Sequence, residues 1–454
     1  MLQTGPGKRA YVETYGCQMN VSDGELMEGL LAARGYEIVR SPEEADVVLV
    51  NTCAIREHAE TRVLGRVSQL NGLKREKPGL VIAVTGCMAQ RLGTTLLEQA
   101  PYVDLVMGPD GYRSLPESLD RIAAGRAARA GTQLAVLELH PTENYQGLEQ
   151  RRADGPVAWV PVQRGCDHRC TFCIVPHVRG PEKNRDAADV IAEVEGLTAS
   201  GVSEVTLLGQ TVNSYRSGDI TFPVLLRRIA RVNGIRRVRF TSPHPNDVTP
   251  ELVEVMATEP AVCEHLHLPA QSGSDRTLKR MLRRYTVAEL LQKIELVRNA
   301  VPDVALSTDI IVAFPGETDR EFRETLDLMR TVRFDEAYTY KYSPRDGTPA
   351  ARLPAHEFLG AEEAQARLAE LIQVTRGIAA EINAGEVGRV EEVLIERSGR
   401  REGQVLGHTR RNKVVSFEGD GSRAGAYTLV ELCHTTGATF VGAEVTAAPA
   451  AVSA

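Results

Sequence analysis

Cys166, Cys170 and Cys173 stand at C-x3-C-x2-C spacing in the run RGCDHRCTFCIVPHVRG, directly after an apolar stretch, VAWVPVQ, that reads as a strand. Three thiolates this close can bind three corners of a four-iron, four-sulfur cubane and leave the fourth iron open to a substrate or cofactor. Disulfide pairing would leave one of the three unmatched, and nothing else in the chain points to secretion. Zinc wants a closed tetrahedron, yet no C-x2-C or H-x3-H pair follows, so His168 or His177 would have to be recruited from the loop. Structural zinc and inert buried thiols are the alternatives to a cluster with a vacant corner.

Cys17, Cys53 and Cys87 pose a related question. Each falls at the C-terminal end of a β-rich run: RAYVETYG, ADVVLVNTC and LVIAVTGC. In a parallel sheet those ends share one edge, where open α/β folds take their ligands, so the thiols converge and a second open cluster is expected. The alternative is cysteine as a small core hydrophobe. The two trios are expected to face one another across a shared chamber.

The elements that must hold these thiols follow from patterning. At 454 residues the chain is too long for one ordinary core and divides into two or three domains. Alternating strands and helices over residues 8–125 predict an α/β, doubly wound parallel sheet. Ser22 and Glu25 read as a capping box ahead of ELMEGLLAAR, with Gly35 as the stop. From about 125 to 155 periodicity lapses into a linker with at most one short strand.

Six further strand candidates (VAWVPVQ, SEVTLLG, VRFTS, EHLHLP, VALSTDIIVAF, EAYTYKYS) alternate with helical segments across residues 152–384. They predict a partial (β/α)6 barrel with its site at the C-terminal mouth of the strands. The three-cysteine loop follows the first strand into that mouth. Gln210 and Asn213 follow the second, Ser242 and His244 the third, and Gln271 the fourth, together forming a polar binding surface for a cofactor. A proline-free helix ending at Gly385 then leads to five short strands over residues 385–447, suited to a small β-barrel of OB-like type. Arg397, Arg400, Arg401, Arg410, Arg411 and Lys413 fall mainly in its turns and suggest phosphate contact, with a solvated surface as the alternative.

A net charge of −7 excludes a surface coated for phosphate, so any nucleic-acid contact is local. Without a leader pattern or a membrane-length apolar run, a cytoplasmic protein with no membrane partner is expected. In that reducing compartment eight cysteines point to metal ligation, with Cys263 and Cys433 left as packing residues.

In this order the motifs resemble the radical S-adenosylmethionine (SAM) methylthiotransferases over nearly the whole chain: a cluster domain, a radical SAM partial barrel and a TRAM domain of RNA-binding type. TYGCQMN, HLPAQSGS, YKYSPRDGTPAA and TSPHP are most similar to the tRNA branch, which acts on N6-isopentenyladenosine next to the anticodon. The resemblance implies two 4Fe–4S clusters and SAM as cofactors. The open iron on Cys166, Cys170 and Cys173 would chelate SAM, whose reductive cleavage yields a 5′-deoxyadenosyl radical that takes hydrogen from C2 of the adenine. The cluster on Cys17, Cys53 and Cys87 would supply sulfur, and a second SAM the methyl group. All six cysteines are thereby implied to be catalytic as well as metal-binding. Arg179, Glu182 and Arg185 carry over as cofactor-binding residues, but Asn184 stands where the family has serine, Thr211 where Asn is usual, and Ala313 replaces a customary glycine. The implied partners are isopentenylated tRNA and an electron donor such as a flavodoxin-type protein, acting with a monomer. Alternatives are a methylthiotransferase acting on a ribosomal protein or on threonylcarbamoyladenosine tRNA and, from another class, a non-catalytic iron–sulfur protein that binds RNA or stores electrons.

Overall fold

The computed structural model describes residues 7–53, 57–128, 133–148, 150–152 and 155–445. Its first body is a six-stranded parallel sheet in the spatial order Glu37–Ile38, Arg9–Thr14, Val47–Thr52, Val81–Gly86, Leu105–Met107, Leu134–Val136. Every residue of VVLVNT and VIAVTG is buried, because helices cover both faces of a parallel sheet. Val47, Leu49, Val81 and Ala83 pack against Leu26, Leu31 and Leu119 on one side. The alternate residues Val48, Val50, Ile82 and Val84 meet Val63, Val67 and Leu70 on the other. Strand order reverses between Arg9–Thr14 and Val47–Thr52, the crevice where such sheets bind ligands.

Two expectations change here. The first helix spans Gln18–Ala33 with Cys17 as its N-cap, so Ser22 and Glu25 lie inside it rather than capping it. The Cys17 carbonyl already accepts the Asn20 and Val21 amides, and Ser22 is fully buried. Gly35 does close the helix: its own amide and that of Tyr36 bond back to Ala32 and Leu31 as a Schellman pair. The one short strand allowed for the linker is Leu134–Val136, the sixth of the sheet, and the same stretch supplies the buried Tyr145, which packs against Tyr112. Those residues join the first body beyond 125, because a three-residue strand is too short to show a period. Residues 129–132, 149 and 153–154 of that stretch, and 446–447 at the far end, lie outside the described residues.

The second body is an open partial barrel. Val157–Pro161, Glu204–Leu208 and Arg237–Phe240 form one parallel sheet, His265–His267, Ala305–Val312 and Glu336–Lys341 another, and a bridge between Val238 and Val262 joins them. Helices pack outside, two of them opened by full capping boxes at Thr286 and Thr318.

Helix Ala361–Glu386 leads into a closed five-stranded barrel ordered Val390–Ser398, Gln404–Thr409, Val414–Glu418, Thr439–Glu444, Tyr427–Thr435. Val393, Val405, Val415, Val430, Leu432 and Phe440 fill it. That alternation turns Cys433 outward, where it is exposed, so it is not the packing residue expected; Cys263 is buried. The turn at 408–413 plugs the N-terminal end of the partial barrel. Arg239 donates to the Thr409 and Arg410 carbonyls (2.7 and 2.8 Å), Arg410 pairs with Glu264 (2.8 Å), Lys413 with Asp335 (2.9 Å) and Arg411 with Glu386 (2.9 Å). Half of the basic cluster read as a phosphate surface is therefore engaged in docking the small barrel, and Arg397, Arg400 and Arg401 remain exposed. Among the described residues no helix is long and apolar enough to cross a membrane.

Candidate active site

Cys17, Cys53, Cys87, Cys166, Cys170 and Cys173 line one chamber of about 260 Å³ between the first two bodies. The local reason begins with three glycines. Gly16, Gly86 and Gly165 immediately precede Cys17, Cys87 and Cys166, all at positive φ (132°, 94° and 73°). A Cβ on Gly86 would lie 2.5 Å from the Thr52 carbonyl, and one on Gly165 1.9 Å from that of Pro181. Glycine thus lets the chain turn sharply as each strand ends and aims the next thiol inward. Cys17 and Cys53 follow the two strands that flank the reversal in strand order, and Cys87 opens helix Cys87–Leu92 beside them.

Each trio has its own polar contacts. Cys17 Sγ donates to Asn20 Oδ1 (3.3 Å), and Cys87 Sγ accepts from Arg179 Nε (3.2 Å). Across the chamber Cys166 Sγ lies 3.1 Å from Thr211 Oγ1, and Arg283 Nη1 donates to Cys170 Sγ at 3.5 Å. The hydrogen bond with Cys53, aided by the Arg179 charge, draws the Cys17 thiol down to about 6. Burial pushes Cys173 up to about 12 and raises Cys166 and Cys87. Sheltered thiols of this kind ionise readily only when a cation takes the charge, which suits metal ligation.

Four further atoms of the lining favour a polar occupant. Arg179 Nη1, Gln210 Oε1, His244 Nε2 and Gln271 Oε1 are buried without a hydrogen-bond partner. Such atoms in a chamber wall are completed by a ligand or water. Each trio offers three sulfurs and no fourth cysteine joins it, so the donor sets fit cubane clusters with one open corner. Zinc finds no such closure: among the described residues the one group of three or more possible ligand atoms within 4.8 Å of one another is His168, His244 and Asp247, with no cysteine in it. His177 is exposed, and the His168 ring is stacked on His244 with centroids 4.0 Å apart and planes 7° from parallel. Nitrogen lone pairs lie in the ring planes, so parallel rings at that spacing cannot both reach one ion at about 2.1 Å.

Of the other residues singled out by sequence, Arg179, Gln210, Ser242, His244 and Gln271 line the chamber, whereas Asn213, Glu182 and Arg185 do not. Asn213 buttresses instead, exchanging hydrogen bonds with the His244 backbone (2.9 and 2.7 Å). Glu182 accepts from Ser214 Oγ (2.6 Å), and Arg185 is taken by Glu193 (2.6 Å) and the Pro161 carbonyl (3.0 Å). Ser242 and Gln271 adopt left-handed backbone at φ 58° and 67°, strain of a kind that gathers at ligand sites. Ala313, where the resemblance leads one to expect glycine, also sits at φ 57°, a backbone conformation that favours glycine. Sequence reasoning missed Arg283, Asp309, Asn20 and Phe172 in the lining, none of which carries a motif signal by itself. Burial, followed by the charges of Arg283 and His168, lowers His244 to about 2, so it is neutral.

Residues 160–329 match the model of the Radical SAM superfamily, 9–108 that of the Uncharacterized protein family UPF0004, and 385–427 that of the TRAM domain. Fold, chamber and matches together define a radical SAM enzyme carrying an extra cysteine-bearing α/β domain and a TRAM barrel; the superfamily implies a 4Fe–4S cluster and SAM. Among solved structures, the radical SAM methyltransferase TsrM from Kitasatospora setae superposes with TM-score 0.56 at 16% identity over 76% of this chain and 77% of that one. The cobalamin-dependent enzyme OxsB gives 0.51 at 13% identity, covering 82% and 58%. At such identities the likeness concerns fold alone. Sequence relatives are far nearer. The tRNA-2-methylthio-N(6)-dimethylallyladenosine synthase of Thermoanaerobacter sp. (strain X514) is 44% identical over 97% of this chain and 94% of its own length. The synthases of Carboxydothermus hydrogenoformans (42%, covering 94% and 96%) and Frankia casuarinae (47%, covering 91% and 77%) are comparable. The chain belongs to the tRNA-2-methylthio-N(6)-dimethylallyladenosine synthase family.

Proposed function

We propose that the protein installs a methylthio group at C2 of N6-isopentenyladenosine beside the anticodon of tRNA. The observation that carries this is the single chamber lined by both cysteine trios. Cys166, Cys170 and Cys173 hold one 4Fe–4S cluster, and Cys17, Cys53 and Cys87 hold the other. When bound, the clusters and SAM supply the electron, the 5′-deoxyadenosyl radical, the sulfur and the methyl group that an unactivated C–H bond requires.

The chain's own residues bind, orient and exclude water. Gln210 and Gln271 offer unpaired acceptors to the groups of a bound cofactor, and His244, kept neutral by burial and accepting the Asn246 amide at Nδ1, offers its Nε2–H as a donor. Phe172, Ile174 and Val178 give the chamber an apolar wall, which keeps a radical from solvent. Arg397, Arg400 and Arg401, exposed on the TRAM barrel, meet RNA phosphates. All six thiols come from one polypeptide, which supports a monomer as the working unit; a flavodoxin-type protein delivers the electron. A tRNA substrate puts the work in the cytoplasm.

The test is anaerobic reconstitution followed by incubation with reductant, SAM and isopentenylated tRNA. The expected result is about eight irons per chain and a mass gain on the modified adenosine equal to replacement of H by SCH3. Intact clusters without that gain reject the assignment, and a ribosomal-protein substrate supplied in parallel shows whether the activity goes elsewhere.

A further inference from the structure

Asp23 is fully buried on the helix that Cys17 caps, and each of its carboxylate oxygens takes one guanidinium from the barrel domain. Arg164, beside the Gly165–Cys166 turn, donates to Oδ1; Arg179, on helix Val175–Arg179 after Cys173, donates to Oδ2 at 2.7 Å. Arg164 also stacks on the Tyr145 ring, 3.6 Å from its centroid. Arg179 then turns its Nε to Cys87 Sγ at 3.2 Å, and its Nη1, buried and without a partner, belongs to a side chain that lines the chamber. One carboxylate thus ties the element that carries Cys17 to both flanks of the Cys166–Cys173 loop, and one guanidinium continues the tie onto a sulfur of the first trio.

An ordinary interdomain ion pair needs neither feature. It has no use for an N–H on a cysteine sulfur, and an unbonded guanidinium N–H on a side chain that lines a chamber calls for an occupant. A cluster accounts for both. A cubane held by three thiolates is an anion overall, while two arginines against one aspartate leave a net positive charge beside it. Hydrogen bonds to the sulfurs and nearby positive charge both favour the reduced, more negative cluster and so raise its potential.

We infer that Asp23, Arg164 and Arg179 form a positioning network for the centre on Cys17, Cys53 and Cys87, in which Arg179 raises and Asp23 lowers its reduction potential. The inference rests on the assignment of that trio as a cluster site. Its test uses the full-length chain with Cys166, Cys170 and Cys173 replaced by alanine, reconstituted anaerobically so that only the first trio is loaded. Iron content, about four per chain, and the midpoint potential from an EPR-monitored titration are read for this parent, for Arg179→Gln, for Arg179→Lys and for Asp23→Asn.

Arg179→Gln is expected to shift the potential negative, Arg179→Lys to shift it less in the same direction because the charge is kept, and Asp23→Asn to shift it positive. Equal potentials at equal iron content, or shifts of one sign in all variants, overturn the network. Should Asp23→Asn fail to fold, the two Arg179 variants still decide, since each leaves Asp23 paired with Arg164. A parent that takes up no iron instead overturns the cluster assignment itself.

Discussion

On the proposed assignment the six thiols divide the labour, and single substitutions separate them. Cys166→Ala is expected to abolish reductive cleavage of SAM, whereas Cys17→Ala keeps cleavage and loses sulfur insertion; chromatography of 5′-deoxyadenosine beside mass analysis of the tRNA reads both. Equal loss of both activities in the two variants would remove the division. His244 makes a second residue-scale prediction. Its ring stays neutral in the fold down to about 2, against an ordinary value of 6.5, because burial and the charges of Arg283 and His168 oppose a proton. Below pH 6.5 the unfolded chain therefore binds more protons than the folded one, and this part of the stability, fully present above 6.5, declines as pH falls. The loss reaches about 2 kcal/mol at pH 5. Denaturant melts at pH 7.5 and 5.0 are expected to show a smaller difference for His244→Asn than for the parent. None of this is legible from spacing: the sequence marks His244 only by its place after a strand, whereas its neutrality comes first from burial and then from Arg283, distant in the chain.

Among the elements, the strand-to-loop turns do most to place the chemistry. Gly165 has no room for a side chain, since a Cβ would sit 1.9 Å from a backbone carbonyl on the neighbouring turn, and its φ of 73° favours glycine. Gly165→Ala must move that backbone and is expected to cost about 2–4 kcal/mol. It should also lower iron uptake at the Cys166 trio, which the difference in iron content between the variant and the parent measures. Elements were legible where the period was long. VVLV and VIAV read as strands because both faces are buried, and their C-terminal cysteines had to share an edge. The start of the first helix was not, because the Ser22 and Glu25 pattern mimics a cap while Cys17 holds the N-cap position without a side-chain capping bond. Leu134–Val136 fits the one short strand the linker allows, but three residues carry no period that would assign it to the first sheet.

At the scale of the whole molecule, the TRAM barrel is held against the N-terminal end of the partial barrel by buried ions. Arg239 is nearly inaccessible, pairs with Glu204 at 2.7 Å and holds two carbonyls of the TRAM turn. Arg239→Met is expected to destabilise the docked state by about 3–5 kcal/mol, because it breaks a buried pair and strands its partners. Hydrogen exchange over residues 390–444 would rise if so. Arg400→Ala with Arg401→Ala should leave that protection intact, weaken tRNA binding and flatten its salt dependence. A pair that changes nothing in RNA binding would put the RNA surface elsewhere.

What the amino-acid sequence by itself determined is what rests on neighbours along the chain: two cysteine trios, the strands they terminate, the glycine before three of the thiols, and the order of three domains. Only the tertiary structure decided that Arg179 bonds Cys87, 92 residues away, that Asp23 takes Arg179 from 156 away, and that Arg410 and Lys413 dock a barrel instead of meeting phosphate. The physical reason is range. Strand ends and turns follow from backbone geometry within a few residues, whereas the partner of a buried charge is set by which surfaces the packed domains bring together.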